Sequence, residues 1–385
     1  MSKMYLRIFL NNNLFVIILI SALFSTVLYA VNGDHIMDST NIKSDDDSKP
    51  LTVGFNFHYG TIIPHAEEVI NVRGTHPKGY ELNFAWQLNT KETWDDCHCY
   101  PRLGFLLAFY DYGLTDVLGY GYGSAVDFTY FFGLPEEFNF LVKGKAGLIY
   151  LTKPYDSETH TENMSYSTYF NYLLSVGAGI YYKPVSHFEL QLVISMNHQS
   201  NAALLEPNGG INFPAITLGA GYIIDPVQFK PRTHPDPYLT SEKKKRWDVS
   251  AFWGISGMTF PDESQVPMYG ITILKSIQVN RFGAISFAGE LEMNGRARLL
   301  VQRGTIEEVS PYRGSLLFGY EFLMGKTIFS VQLGVYIYRP YKEKDDIYQR
   351  WGLVHRLFDQ FYFGINFKSY RNFADHLDLR LTYSF

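Results

Sequence analysis

The chain has few cysteines and few long apolar runs. Its two cysteines, Cys97 and Cys99, both lie in Trp94-Asp-Asp-Cys-His-Cys-Tyr100. With His98 they offer three metal ligands, but a fourth ligand and the usual two-residue spacing are missing. A local disulfide or two unpaired thiols fits the pair better than a metal centre. Only one stretch, at the N-terminus, approaches the 20 or so apolar residues of a membrane helix. Mean hydropathy is −0.10, so a helical membrane protein is excluded. A net charge of −5 argues against nucleic acid as the main partner. There is no phosphate-cradling glycine loop and no zinc-helix motif.

Aromatic residues are abundant, with 29 Tyr and 30 Phe in 385 residues. Transmembrane barrels gather such residues in girdles at the two membrane interfaces. The N-terminus reads as a secretory signal over residues 1–30: Lys3 and Arg7, then an apolar run from Leu14 to Leu28, then Ala30. A retained anchor is the alternative. The acidic, polar stretch that follows, within residues 31–50, reads as a disordered leader. The barrel is expected over residues 51–385.

From Leu51 onward, segments of about ten residues alternate apolar and polar, separated by turn residues. One face of such a strand meets lipid and the other the lumen. In the last segment Leu377, Leu379, Leu381, Tyr383 and Phe385 oppose Asp378, Arg380, Thr382 and Ser384. A chain ending this way resembles the terminal signal of bacterial outer-membrane proteins, which makes the outer-membrane insertion machinery an expected partner. The expectation is an all-β, antiparallel transmembrane barrel of about sixteen strands. Short connectors such as Lys183-Pro184-Val185, Asn280-Arg281 and Phe358-Asp359 alternate with long ones such as Ile62 to Gly79 and Thr152 to Tyr169. The Pro-rich segment from Asp225 to Arg246, ending Lys243-Lys244-Lys245-Arg246, divides the strands into halves, 51–225 and 247–385. A single large barrel is preferred, with two tandem barrels of about eight strands as the alternative.

One stretch carries chemistry: Asn197-His198-Gln199-Ser200-Asn201-Ala202, then Glu206-Pro207-Asn208-Gly209-Gly210-Ile211-Asn212. In an extended strand His198 and Ser200 share a face, as a serine nucleophile and an imidazole base require. Glu189, Gln191, Ser195 and Asn197 mark the lumen face of this strand, so His198 and Ser200 continue the lipid-facing series of Leu190, Leu192, Ile194 and Met196. Polar groups there are tolerable only near the interface. That is where an enzyme acting on an outer-leaflet lipid needs its nucleophile.

The pattern His-x-Ser-Asn-Ala followed by Pro-Asn-x-Gly-Ile resembles the active-site segment of the PagL-type lipid A deacylases. The resemblance spans His198 to Asn212 and extends loosely over Leu51 to Asp225. It implies an outer-membrane barrel that hydrolyses an ester-linked acyl chain of lipid A, the lipid of lipopolysaccharide, without metal or cofactor. It also implies His198 as base, Ser200 as nucleophile, and Asn208, with Asn201, as hydrogen-bond donors to the oxyanion. The family's acidic residue falls at Asn212, where an amide stabilises an imidazolium less well than a carboxylate. Glu206 is the nearest acid. Residues from Trp247 onward are not accounted for. A non-enzymatic barrel, either a pore or an inactive relative, is the competing reading. Glu290 and Glu292 share a face and are expected to line a wet lumen. Arg350, His355, Arg356, Lys368, Arg371 and Arg380 are expected to balance lumen acids, the alternative being contact with anionic lipid headgroups or phosphates, and His58 and His65 to mark where the first strand meets the interface.

Overall fold

The computed structural model describes residues 49–132, 137–227, 229, 244–371 and 373–385. The expected signal (residues 1–30) and all but the last two residues of the leader lie outside the described residues.

Sixteen antiparallel strands form two closed barrels. The first holds β1 (Leu51–Gly60), β2 (Lys78–Gln87), β3 (Arg102–Asp111), β4 (Tyr120–Phe131), β5 (Phe138–Leu151), β6 (Phe170–Val185), β7 (Phe188–Ser200) and β8 (Ile211–Ile224). The second holds β9 (Lys245–Gly257), β10 (Gln265–Asn280), β11 (Gly283–Asn294), β12 (Tyr312–Met324), β13 (Thr327–Tyr338), β14 (Ile347–Phe358), β15 (Phe361–Tyr370) and β16 (Phe373–Ser384). The tandem arrangement replaces the preferred single barrel. β8 pairs back onto β1 from Leu51↔Ile224 to Gly60↔Ala215, and β16 pairs with β9. Each half thereby satisfies its own edges, as a span without water to hydrogen-bond its backbone must.

Strands of 10 to 16 residues are long enough to cross a bilayer at a tilt. Outward residues are apolar and exposed: Ile216, Leu218 and Tyr222 on β8, Leu316 and Phe318 on β12. Inward residues are polar and paired. In the first barrel Glu81 meets His58 at 2.9 Å and Lys145 at 2.7 Å, and Arg102 meets Glu189 at 2.6 Å. His58 therefore lies in the lumen, not at the interface. In the second barrel Arg350 bridges Glu290 (2.6 Å) and Asp378 (2.5 Å), and Lys368 meets Glu292 at 2.6 Å. Arg350 and Lys368 have no exposure at all. Buried charges persist only when paired in this way. Both lumens are filled by these networks, which speaks against the pore reading.

Most long connectors project from one end of each barrel and most tight turns from the other, the exceptions being 88–101 at the turn end of the first barrel and 371–372 at the loop end of the second; the expected turn at 183–185 falls at 186–187. At the turn end of the first barrel lies α1 (Lys91–Cys97), capped by Thr90 and closed by a Cys97–Cys99 disulfide. At the long-loop end of the second lies α2 (Gly295–Gln302), capped by Asn294. The barrels touch at both ends. At the loop end Gly257 N donates to Ala203 O (2.6 Å) and Gln265 Nε2 to Leu204 O (2.8 Å). At the turn end Arg281 donates to Asp95 O and Lys326 lies 3.7 Å from Glu92.

Candidate active site

β7 carries the site at its loop end. Leu192, Ile194 and Met196 are exposed on the outer face, whereas Glu189, Ser195 and Asn197 are buried in the lumen. His198 and Ser200 continue the outer series, as the alternation requires. Cross-strand register then supplies the third member, because His198 lies directly opposite Asn212 at the start of β8. Facing positions of an antiparallel pair bring their side chains onto one face within reach.

The resulting chain of hydrogen bonds is continuous. Ser200 Oγ lies 2.8 Å from His198 Nε2, and His198 Nδ1 lies 2.6 Å from Asn212 Oδ1. Asn212 Nδ2 lies 2.8 Å from His65 Nδ1. One assignment satisfies every contact. His65 Nδ1 accepts from the Asn212 amide, which turns Oδ1 toward His198. Oδ1 accepts the proton of His198 Nδ1, which leaves Nε2 as a lone pair aimed at the serine hydroxyl.

His65 sits between β1 and β2, outside the segment that the sequence pattern marks. Its loop is held over β8 by Ile63 N donating to Asn212 O at 2.9 Å. Burial lowers the His65 imidazole below its ordinary range, with Glu68 opposing more weakly. The neutral ring is the form that accepts from Asn212. Only a contact between a loop and a strand 147 residues apart brings it in, and no local spacing marks it.

Glu206 does not stand in for the missing acid. Its carboxylate accepts from Asn208 N at 2.9 Å, within its own loop. Burial raises its carboxyl above the usual range, against the pull of the Asn208 N–H, Lys344 and Arg296.

The two asparagines expected at the oxyanion differ. Asn201 is fully buried, and its amide donates to Ser167 Oγ (3.2 Å) and Leu205 O (2.7 Å), so it holds the loop together. Asn208 Oδ1 accepts from Asn201 N at 3.0 Å, which leaves its NH2 end without a hydrogen-bond partner among the described residues. Ala202 and Ala203, just after Ser200 and Asn201, both take left-handed φ values (54° and 62°). Such conformations cost about 1–2 kcal/mol each and collect at functional sites. Here the turn aims Ala202 N at Ser200 Oγ, 3.4 Å away.

Ser200 is on the outer face but not open to lipid, being only 4% exposed. Around it Leu148, Tyr172 and Ala202 are buried, with Leu204 and four residues of the second barrel, Ile365, Phe367, Leu377 and Leu379, packed against them.

Two family models match the chain. A family model described as lipid A 3-O-deacylase (PagL) matches residues 75–220. A second, described as acyloxyacyl hydrolase, C-terminal domain (PagL_C), matches residues 245–385 and accounts for the half that the motif leaves unexplained. No curated protein matches the chain. Among solved structures, the outer membrane enzyme PagL is 14% identical, covering 43% of this chain and 97% of its own, with a TM-score of 0.30. The N-terminal β-barrel domain of Pseudomonas aeruginosa OprF is 15% identical, covering 46% and 100%, with a TM-score of 0.29. Ail of Yersinia pestis is 12% identical, covering 46% and 99%, with a TM-score of 0.26.

Proposed function

The chain belongs to the PagL family of outer-membrane β-barrel lipid A deacylases, and from that premise we propose that it is itself a serine ester hydrolase removing an ester-linked acyl chain from lipid A. By likeness to the family description, the chain removed is the 3-O-linked one. The observation that carries this reading is the unbroken line Ser200–His198–Asn212–His65.

Ser200 Oγ attacks the ester carbonyl while His198 Nε2 takes its proton. The tetrahedral oxyanion accepts hydrogen bonds from the free amide of Asn208 and from Ala202 N–H. Collapse expels the sugar hydroxyl, which receives the proton from His198, and leaves the acyl group on Ser200. A water molecule then attacks the acyl-serine, His198 again accepting the proton, and the fatty acid departs with Ser200 restored. Asn212 holds the tautomer throughout and partly shields the transient imidazolium.

The test is mass spectrometry of lipid A from cells producing the native protein or Ser200→Ala. Loss of one acyl chain with the native protein only is the expected result. Unchanged lipid A in both strains, with the barrel folded in the outer membrane, overturns the reading.

A further inference from the structure

The second barrel covers the candidate nucleophile along a narrow line, and the composition of that line points to a ligand. On β16 the outward residues Leu381 and Tyr383, near the turn end, are 52% and 40% exposed, whereas Leu377 and Leu379 nearer the loop end are half-buried against the first barrel. On the first barrel the same gradient appears. Ser200 and Tyr172 are covered, and the outward residues below them on β6 and β7, Val176 and Ile194, are 61% and 67% exposed. Among the described residues, the apolar contact between the two outer faces lies beside the site. Below it, apolar surface on each barrel is open to the membrane.

The polar ties between barrels lie at the rims, at Ala203 and Leu204 on one side and Asp95 and Glu92 on the other. The contacts beside Ser200 are apolar. In hydrocarbon no hydrophobic force holds such surfaces together, since lipid tails are as apolar as leucine. Exchanging a leucine–leucine contact for a leucine–methylene contact changes little. A seam of this kind yields to an acyl chain while the rims stay tied.

We propose that this seam is the acyl-binding slot: the chain to be cleaved lies between the barrels, with Ile365, Phe367, Leu377 and Leu379 as its second wall. The second barrel is then a specificity element for acyl-chain length and shape. The orientation suits an outer-leaflet lipid, whose ester sits near the interface and whose chains descend into the membrane core. This rests on the deacylase reading for the identity of the occupant, but not on turnover.

Lipid A bearing a photoreactive diazirine on its 3-O-acyl chain tests the slot in the full-length Ser200→Ala protein, where the substrate is held and not consumed. Labelling is expected on β7 and on the Ile365–Leu379 segment, with excess unlabelled lipid A suppressing it. Leu379→Trp, which fills the slot, is expected to lower labelling of the second barrel on the order of 10-fold, the discrimination typical of one or two methylenes in an apolar pocket. Leu333→Ala, on membrane-exposed surface of β13, leaves it unchanged. Labelling confined to the first barrel, or equal at Leu333 and at the seam, overturns the proposal. Should Leu379→Trp fail to fold, Leu379→Ala decides: it widens the slot, and bulkier branched-chain probes should gain second-barrel labelling. The two readings fail separately. Seam labelling without any deacylation by the native protein sinks the hydrolase, whereas deacylation without seam labelling sinks the second wall.

Discussion

The pairing of Asn212 with His65 makes a double-mutant prediction that few other arrangements share. An asparagine has two unlike ends, and only one orientation leaves Oδ1 on His198 Nδ1, 2.6 Å away. His65, 2.8 Å from Nδ2, selects that orientation. Removing the ring by His65→Ala forfeits one hydrogen bond of about 1 kcal/mol, so the deacylation rate should fall roughly five-fold. Asn212→Asp should raise the rate. A charge-assisted hydrogen bond to the imidazolium exceeds a neutral one by about 1 kcal/mol, again roughly five-fold. A carboxylate has two like ends and needs no such selection. In the Asn212→Asp background His65→Ala should therefore change the rate by less than about two-fold, a coupling of about 1 kcal/mol between the sites. The assay is single-turnover appearance of the lipid A product lacking that acyl chain, in detergent, which isolates the acylation step. If His65→Ala costs the same in both backgrounds, His65 is not orienting the amide and the relay logic is wrong.

Other expectations follow from the same loops. Gly210 has a φ of +68°, and a Cβ there would lie 3.2 Å from His198 Cε1. Gly210→Ala should thus cost about 1 kcal/mol of stability and lower kcat on the order of 10-fold by displacing the ring, checked by thermal melting beside rate measurement. Burial holds the His65 pKa below 6.5. Its neutral form therefore contributes stability that is fully present above pH 6.5 and lost as the pH falls through the lowered folded value. His65→Gln should flatten the dependence of the melting temperature on pH between about 7.5 and 5. An unchanged slope would show that His65 is not buried neutral.

What the sequence carries plainly is the direction of side chains. Period-two alternation assigns Glu290, Arg350 and Lys368 to a lumen and Leu316 and Ile216 to lipid, because a strand has only two faces. The same rule puts His198 and Ser200 side by side. It says nothing about which distant strand closes each sheet. β8 meets β1 instead of remaining beside β9 through a non-local pairing, and only the long connector from Asp225 to Arg246 hints at it. The contact of His65 with Asn212 was illegible for the same reason, and His65 also lies outside the residues that the deacylase model matches. Asn212 was legible as a departure from the family pattern but not as a working part, since its role depends on a partner that fixes the orientation of the amide.

The seam was hidden for a different physical reason. Leu377 and Leu381 lie on one face of one strand and read identically, yet Leu377 packs on the first barrel and Leu381 is 52% exposed. In a soluble protein a covered patch differs in composition from an open one, because water penalises the exposed apolar group. In a membrane that contrast vanishes, since lipid and protein are equally apolar neighbours. An outward leucine is therefore compatible with lipid, with a second barrel, or with a substrate chain in turn. That indifference lets one face of β16 serve as an interface in the resting protein and as a wall for an acyl chain in the working one.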